Sequence, residues 1–265
     1  MRSAVFGAIV VVCCTQAVAQ EGSVYEVALK ATCRVDVNPG TRAPAFGTGT
    51  FVKCPQEMEG LLQENEVVVA TAGHVLESIT LRGGVAVSLP RLSKDGRSSD
   101  GFNEQLPARL LDFVCDAPNG DVGLIAVKIE SSKIENGTVK LVPMHLGEMD
   151  IRVDQKVLVV GCRGASPAKV EQARAIQYFP GSESSGSYHH LSVLRRSGDS
   201  GGGMFDLSGR LVGICSASSE EPIEMAVGFG LVGFDGQSSP RVYRGQSSVF
   251  TPCHLVKCLF KRLHK

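Results

Sequence analysis

The chain has 265 residues, with 27 Lys and Arg against 27 Asp and Glu. That length holds one large domain or two small ones with a substantial core. The balanced charge excludes the basic surplus with which nucleic-acid binders neutralise phosphates. Helical periodicity is scarce, while short apolar or alternating runs punctuated by Gly, Pro, Asn and Ser recur along the chain, so the expected class is all-β, a barrel or sandwich.

Residues 1–19 read as a secretory signal peptide. Arg2 supplies the charged start, Ala4 to Cys14 the apolar centre, and Ala17-Val18-Ala19 the small-residue cleavage site. The stretch is too short to span a bilayer, and no later run is long enough. The mature chain is therefore expected to be exported, periplasmic or extracellular, with no membrane span. Cleavage after Ala19 leaves Cys33, Cys54, Cys115, Cys162, Cys215, Cys253 and Cys258. An oxidising compartment permits pairing, but the connectivity is not readable and the odd count leaves one thiol over in a monomer. Cys162 and Cys215 end apolar runs and read as small buried hydrophobes.

Tyr25 to Val37 reads as an opening strand or strand pair, ended by Asn38-Pro39-Gly40. Phe46 to Val52 is β-prone, and its glycines point to close backbone approach. A polar surface loop is expected from Pro55 to Asn65. A strand from Glu66 to Ala70 runs into Thr71-Ala72-Gly73-His74-Val75. His74 thus stands at a strand end, where a lone histidine is more often structural than catalytic. It is nevertheless the best-placed base. His145 lies in a Pro-flanked loop, His189 and His190 are adjacent, and His254 and His264 are in the tail.

Val85 to Leu89 and Ala108 to Val114 read as strands around a polar loop from Pro90 to Asn103. Asp121 heads a continuous apolar strand to Ile129, and a buried acid there needs a partner. Ser131 to Gly137 breaks the pattern and divides the chain into halves, 20–137 and 138–265. Strands follow at Lys156 to Cys162 and Ala173 to Phe179, then a flexible loop at Gly181 to Gly186. Gly228 to Phe234 is the last clear strand, and a polar stretch through Gln246 follows. Thr251-Pro252 opens a terminal helix over 252–264, with Leu255, Val256, Leu259 and Leu263 at helical spacing.

Between Leu194 and the strand Arg210 to Cys215 lies Ser197-Gly198-Asp199-Ser200-Gly201-Gly202-Gly203. Glycines at this density allow a tight loop that turns N–H groups inward and holds one hydroxyl at its apex. Acyl transfer needs that pairing of a nucleophile with donors for a developing oxyanion. Alone, the run reads more readily as a glycine-rich hairpin turn. His74, Asp121 and Ser200 in this order add the base and the orienting acid of a Ser-His-Asp triad.

The neighbouring residues carry a resemblance. Thr71-Ala-Gly-His74, Asp121-Val-Gly-Leu and Gly198-Asp-Ser-Gly-Gly202 resemble the histidine, aspartate and nucleophile segments of trypsin/chymotrypsin-like serine proteases. Phe46-Gly-Thr-Gly-Thr-Phe-Val and Ile151 to Gly161 resemble the bacterial, HtrA-type branch, without room for the PDZ module that often follows. The resemblance implies two six-stranded antiparallel β-barrels with the site between them. His74 and Asp121 would come from the first, and Ser200, with the Gly198 and Ser200 N–H groups as oxyanion hole, from the second. It also implies a pocket floored by Leu194 and walled by Ser216, Ala217, Ser218 and Gly228. A leucine floor without a carboxylate argues against Arg or Lys substrates and for small or medium apolar side chains.

Val75 and Arg196 stand where animal members carry cysteines, so their disulfides do not transfer. Asp199 pairs in those members with an N-terminus made by cleavage. No Ile-Val-Gly-Gly start follows a basic residue here, so an arginine, bound substrate or self-processing is left to order the loop. Arg195 and Arg196 are expected to be exposed. The expected partner is a polypeptide substrate, with no nucleic acid, cofactor or metal; adjacent strand residues point to opposite faces, so His189 and His190 do not share an ion. The oligomeric state is not legible. A catalytically silent peptide-binding protein on the same fold is the alternative.

Overall fold

A computed structural model describes residues 24–41, 44–77, 79, 83–94, 98–116, 120–144, 151–179, 188–193, 195–232 and 238–263. The expected signal peptide, His145, His264 and Leu194 lie outside them. Among the described residues twelve strands form two closed antiparallel barrels of six. The first contains β1 (Thr32–Val37), β2 (Ala45–Val52), β3 (Glu66–Thr71), β4 (Val85–Leu92), β5 (Ser99–Asp116) and β6 (Gly120–Lys128), in the order β1-β2-β3-β6-β5-β4. The second contains β7 (Lys156–Gly161), β8 (Lys169–Phe179), β9 (Tyr188–Leu191), β10 (Gly203–Phe205), β11 (Leu211–Val232) and β12 (Ser238–Pro252), in the order β10-β11-β12-β9-β8-β7. The helices are α1 (24–30), α2 (Gly73–Glu77), α3 (Ser131–Glu135) and α4 (Cys253–Leu263). Among the described residues no helix is long and apolar enough to cross a membrane.

Alternation along the strands produces three cores. In β3, Val67 and Val69 fill the first barrel, while Val68 and Ala70 face outward. In β7, Val157 and Val159 fill the second barrel, while Leu158 and Val160 face outward. The outward sets meet in a third core between the barrels, closed by Ala28 and Leu29 of α1 and by Val256, Leu259 and Phe260 of α4. Strands apolar on both faces read as unbroken hydrophobic runs, and β3, β6 and β7 do so. The candidate site lies where the barrels meet, with Ser216 of β11 reaching Asp121 of β6.

Four expectations are corrected. Residues 24–30 form a helix, not the start of a strand: Val24 and Ala28 are buried one turn apart, and Lys30 pairs with Glu26 at 2.7 Å. The polar stretch Pro90 to Asn103 is largely strand, because its backbone pairs Pro90 with Phe102 and Leu92 with Ser99. The polar stretch before Gln246 is likewise strand, β12, laddered on β11 from Val232–Ser238 to Gly213–Pro252. In both, the backbone ladder forms although the sequence carries no apolar alternation. Within the expected loop from Pro55 to Asn65, Gln56–Leu61 forms a 3-10 helix.

Candidate active site

His74 stands in the first turn of α2, directly beyond β3, with its side chain 42 % exposed. Asp121 heads β6 and is mostly buried. Its Oδ1 accepts the backbone N–H of His74 at 2.8 Å, and its Oδ2 lies 2.7 Å from the ring Nδ1. An ionised carboxylate only accepts, so Nδ1 carries the proton and Nε2 is left as the basic nitrogen. The hydrogen bond to Asp121 holds the imidazole above its ordinary value of 6.5, against the opposing effect of burial. Burial pushes the Asp121 carboxyl up, but hydrogen bonds from His74 and from Ser216 outweigh it, and the net direction is down. Ser216 Oγ, from β11 of the second barrel, donates to Asp121 Oδ2 at 2.5 Å.

The glycine-rich loop enters from the second barrel. Gly198 and Gly201 have φ of 91° and 86°, values that side chains disfavour. A Cβ on Gly201 would collide with Thr48 O and Thr71 Oγ1 and come within 2.9 Å of Ala72 N. The loop therefore presses on the segment that ends at His74. Thr48 of β2 holds it there: its N–H donates to Ser200 O at 2.7 Å and its Oγ1 donates to Gly198 O at 2.7 Å. The same hydroxyl accepts from Cys162 N at 2.9 Å. Gly201 N–H donates to Cys215 O at 2.7 Å, and Cys215 N–H to Gly202 O at 2.8 Å. Since Ser216 follows Cys215, a continuous path runs from Ser200 through β11 to Asp121 and His74. The N–H groups of Asp199, Gly201 and Gly202 have backbone acceptors, whereas among the described residues those of Gly198 and Ser200 have none.

Residues 47–214, well over half of the chain, match the trypsin-like peptidase domain. The chain belongs to the trypsin-like peptidase family. No curated protein matches it in sequence. In fold it is similar to the Rv3671c protease from M. tuberculosis. The active form is 15 % identical with TM-score 0.56, over 91 % of this chain and 83 % of that one. The inactive form is 15 % identical with TM-score 0.52, over 91 % and 92 %. A serine-to-alanine mutant in the inactive form is 14 % identical with TM-score 0.54, over 91 % and 89 %.

In this member of the trypsin-like peptidase family the buried Asp199 is met by arginine: Oδ2 accepts Arg163 Nε at 3.2 Å and Arg196 N at 2.9 Å. Arg195 corrects an expectation, since it is 3 % exposed instead of solvated; its Nη1 donates to Glu171 Oε2 at 3.0 Å. Ser216 also differs from a plain pocket wall, because its hydroxyl is committed to Asp121. Ala217, Ser218 and Gly228 lie on β11, with Ala217 opposite Val249 and Ser218 opposite Ser248. His189 lies apart, in β9, where burial pushes it down to about 4. Cys162 and Cys215 are buried, as their apolar surroundings suggest.

Sequence reasoning missed Thr48 as a loop anchor and Ser216 as a partner of Asp121. For Thr48 a signal was present. It sits between Gly47 and Gly49, and a Cβ on Gly47 would come within 2.9 Å of Ser200 O. The glycines of β2 mark where the second barrel's loop touches the first.

Proposed function

We propose that the chain is an exported serine endopeptidase that cleaves peptide bonds through Ser200, His74 and Asp121. A serine hydroxyl is a weak nucleophile near neutral pH, so His74 Nε2 removes its proton as Oγ attacks the scissile carbonyl. The carbonyl oxygen becomes an oxyanion, and the N–H groups of Gly198 and Ser200 receive it. Each such donor typically stabilises the transition state by about 3–4 kcal/mol. The imidazolium then protonates the leaving amine, which departs and leaves an acyl-Ser200 ester. Water, deprotonated by His74, hydrolyses that ester and restores the hydroxyl. Asp121 keeps the productive tautomer and stabilises the transient imidazolium.

The observation that carries this reading is the doubly bonded His74–Asp121 pair, tied through Ser216 and Cys215 to a loop in which two N–H groups have no acceptor among the described residues. Export rests on residues 1–19, and its test is the N-terminus of the chain recovered outside the cytoplasm, expected at Gln20. The chemical test is labelling with a fluorophosphonate together with hydrolysis of a peptide library. The wild type is expected to label and cleave. Ser200→Ala is expected to lose the label and about 10⁶ in kcat while keeping the fold. Peptide cleavage by Ser200→Ala at the wild-type rate would refute the assignment, and a wild type that binds peptides without cleaving them would make the cleft a recognition site.

A further inference from the structure

We propose that the outer part of the β11–β12 hairpin is a docking arm for an unfolded substrate chain, which pairs with the free edge of β11 and leads into the bond that Ser200 cuts. This deepens the proposed function and rests on the reading of Ser200 as nucleophile. β11 is 22 residues long and β12 is 15, yet their neighbours in the barrel cover only the base of the pair. β9 meets β12 from Ser248 to Phe250, and β10 meets β11 from Leu211 to Ile214. From Ser219–Ser247 to Val232–Ser238 the two strands pair only with each other among the described residues. At about 3.3 Å per residue, this ribbon measures about 40 Å along its length.

The free edge starts at the nucleophile. β10 lies antiparallel on β11 up to Gly203, opposite Ile214, and the chain before Gly203 is the glycine-rich loop. That loop touches the edge once more, at Cys215, through Gly201 N–H to Cys215 O and Cys215 N–H to Gly202 O. It then turns to Thr48, whose N–H donates to Ser200 O. Ser216, next on β11, reaches Asp121. Beyond Ser216 no strand lies on this edge among the described residues. A polypeptide laid antiparallel there continues the line that β10 leaves. Its C-terminal end arrives beside Ser200, and its N-terminal residues run outward along the ribbon.

The ribbon calls for such a guest. Two strands alone are marginal in water, and a third strand is what makes a sheet of this kind stable. An open edge offers a row of N–H and C=O groups to any extended chain. The register shifts at four places, between Cys215 and Ala217, Ser219 and Ile223, Ala226 and Phe229, and Phe229 and Val232. Shifts of this kind twist the ribbon and break its edge into short stretches, which hinders open-ended stacking of copies. The longest regular stretch runs from Ile223–Gly245 to Ala226–Val242, and its alternation puts Ile223, Met225 and Tyr243 on one face. A guest strand with an apolar residue at every second position extends that face. Nearer the site, Glu220 and Glu221 stand in β11 between the pairs Ser219–Ser247 and Ile223–Gly245. Basic residues in the guest complement this acidic stretch. The partner is therefore an unfolded segment, alternately apolar and partly basic, on the N-terminal side of the cut.

The test uses peptides identical around the cut and extended on the N-terminal side by about six or about twelve residues of alternating apolar and basic type. The longer extension is expected to raise kcat/KM by about 10- to 100-fold, through KM. N-methylation of the extension's amides keeps its side chains and removes its donors, and is expected to abolish the gain. A trimmed variant joins Ser219 to Ser247 through Asn-Gly and closes the hairpin at an existing pair. Within that variant, long and short peptides are expected to be cut alike. Fluorescence anisotropy of the same peptides on Ser200→Ala reads docking without turnover, and the long peptide is expected to bind about 10- to 100-fold more tightly. Equal binding of long and short peptides would overturn the arm, as would a gain that survives N-methylation or trimming. A wild-type dimer that trimming converts to a monomer, with no gain from length, would assign the edge to a second copy and overturn it too. A long peptide that docks through its amides and is left uncut would count against the proposed function instead.

Discussion

Thr48→Val isolates the contact by which the first barrel holds the loop of the second. Valine keeps the shape of threonine and removes one oxygen. That oxygen donates to Gly198 O at 2.7 Å and accepts from Cys162 N at 2.9 Å, at a site with no solvent exposure. The substitution strands one buried acceptor and one buried donor, each costing about 1–3 kcal/mol. A loss of about 2–6 kcal/mol follows, and at about 2–4 °C per kcal/mol for a protein of this size the Tm falls by about 5–20 °C. Freed at its carbonyl, Gly198 also loses the fixed orientation of its peptide. The kcat is expected to fall by about tenfold or more, short of the 10²–10³ lost with a whole oxyanion donor. Thr48→Ser is the control. It keeps both hydrogen bonds and gives up one methyl group, at about 1 kcal/mol. Calorimetry and peptide hydrolysis on the three proteins give the answer. Thr48→Val with wild-type Tm and kcat would refute the claim that this hydroxyl anchors the loop.

Two further predictions concern the same site. Because Asp121 holds His74 above 6.5 and the base acts in its neutral form, kcat/KM is expected to fall with decreasing pH through a midpoint above 6.5. Asp121→Asn should move that midpoint down and cost about 10⁴ in kcat, and a midpoint left in place would show that Asp121 does not set it. For stability the signs run oppositely for the two groups. The raised His74 contribution is complete below 6.5 and fades as pH rises through its folded value. The lowered Asp121 contribution is complete above 3.8 and fades as pH falls through its folded value, so the pair stabilises most between them. Gly201→Ala places a methyl against Thr48 O and Thr71 Oγ1 at positive φ, and is expected to cost about 2–5 kcal/mol and most of the activity. Denaturant unfolding matching the wild type would contradict it.

The legible parts of the fold are those whose burial leaves a mark on composition. β3, β6 and β7 face two cores each, and unbroken runs such as Val67 to Ala70 declare them. The segments misread are those held by backbone pairing or by a single packed stripe. β12 and the early part of β5 are polar strands secured by their ladders, and in α1 only Val24, Ala28 and Leu29 betray the helical period. The candidate site divides in the same way. His74, Asp121 and Ser200 are visible because each stands at a strand end among small residues. Thr48, Ser216 and Arg195 are not, because what they touch lies far away along the chain: Thr48 meets Gly198, Ser216 meets Asp121, and Arg195 meets Glu171. Residue type gives no sign of such partners. The inward turn of Arg195 depends on carboxylates that only the closed second barrel brings to it.

The last helix reaches back to the first barrel. Arg262 of α4 donates to both oxygens of Asp112 in β5, and Leu255 lies against Gly120 at the head of the strand that carries Asp121. A ribosome delivers these parts in sequence: imidazole and carboxylate first, hydroxyl much later, and the bracing helix after that. In the proposed function the three groups are therefore complete only when the second barrel has joined the first, and α4, added last, braces the strand that carries Asp121.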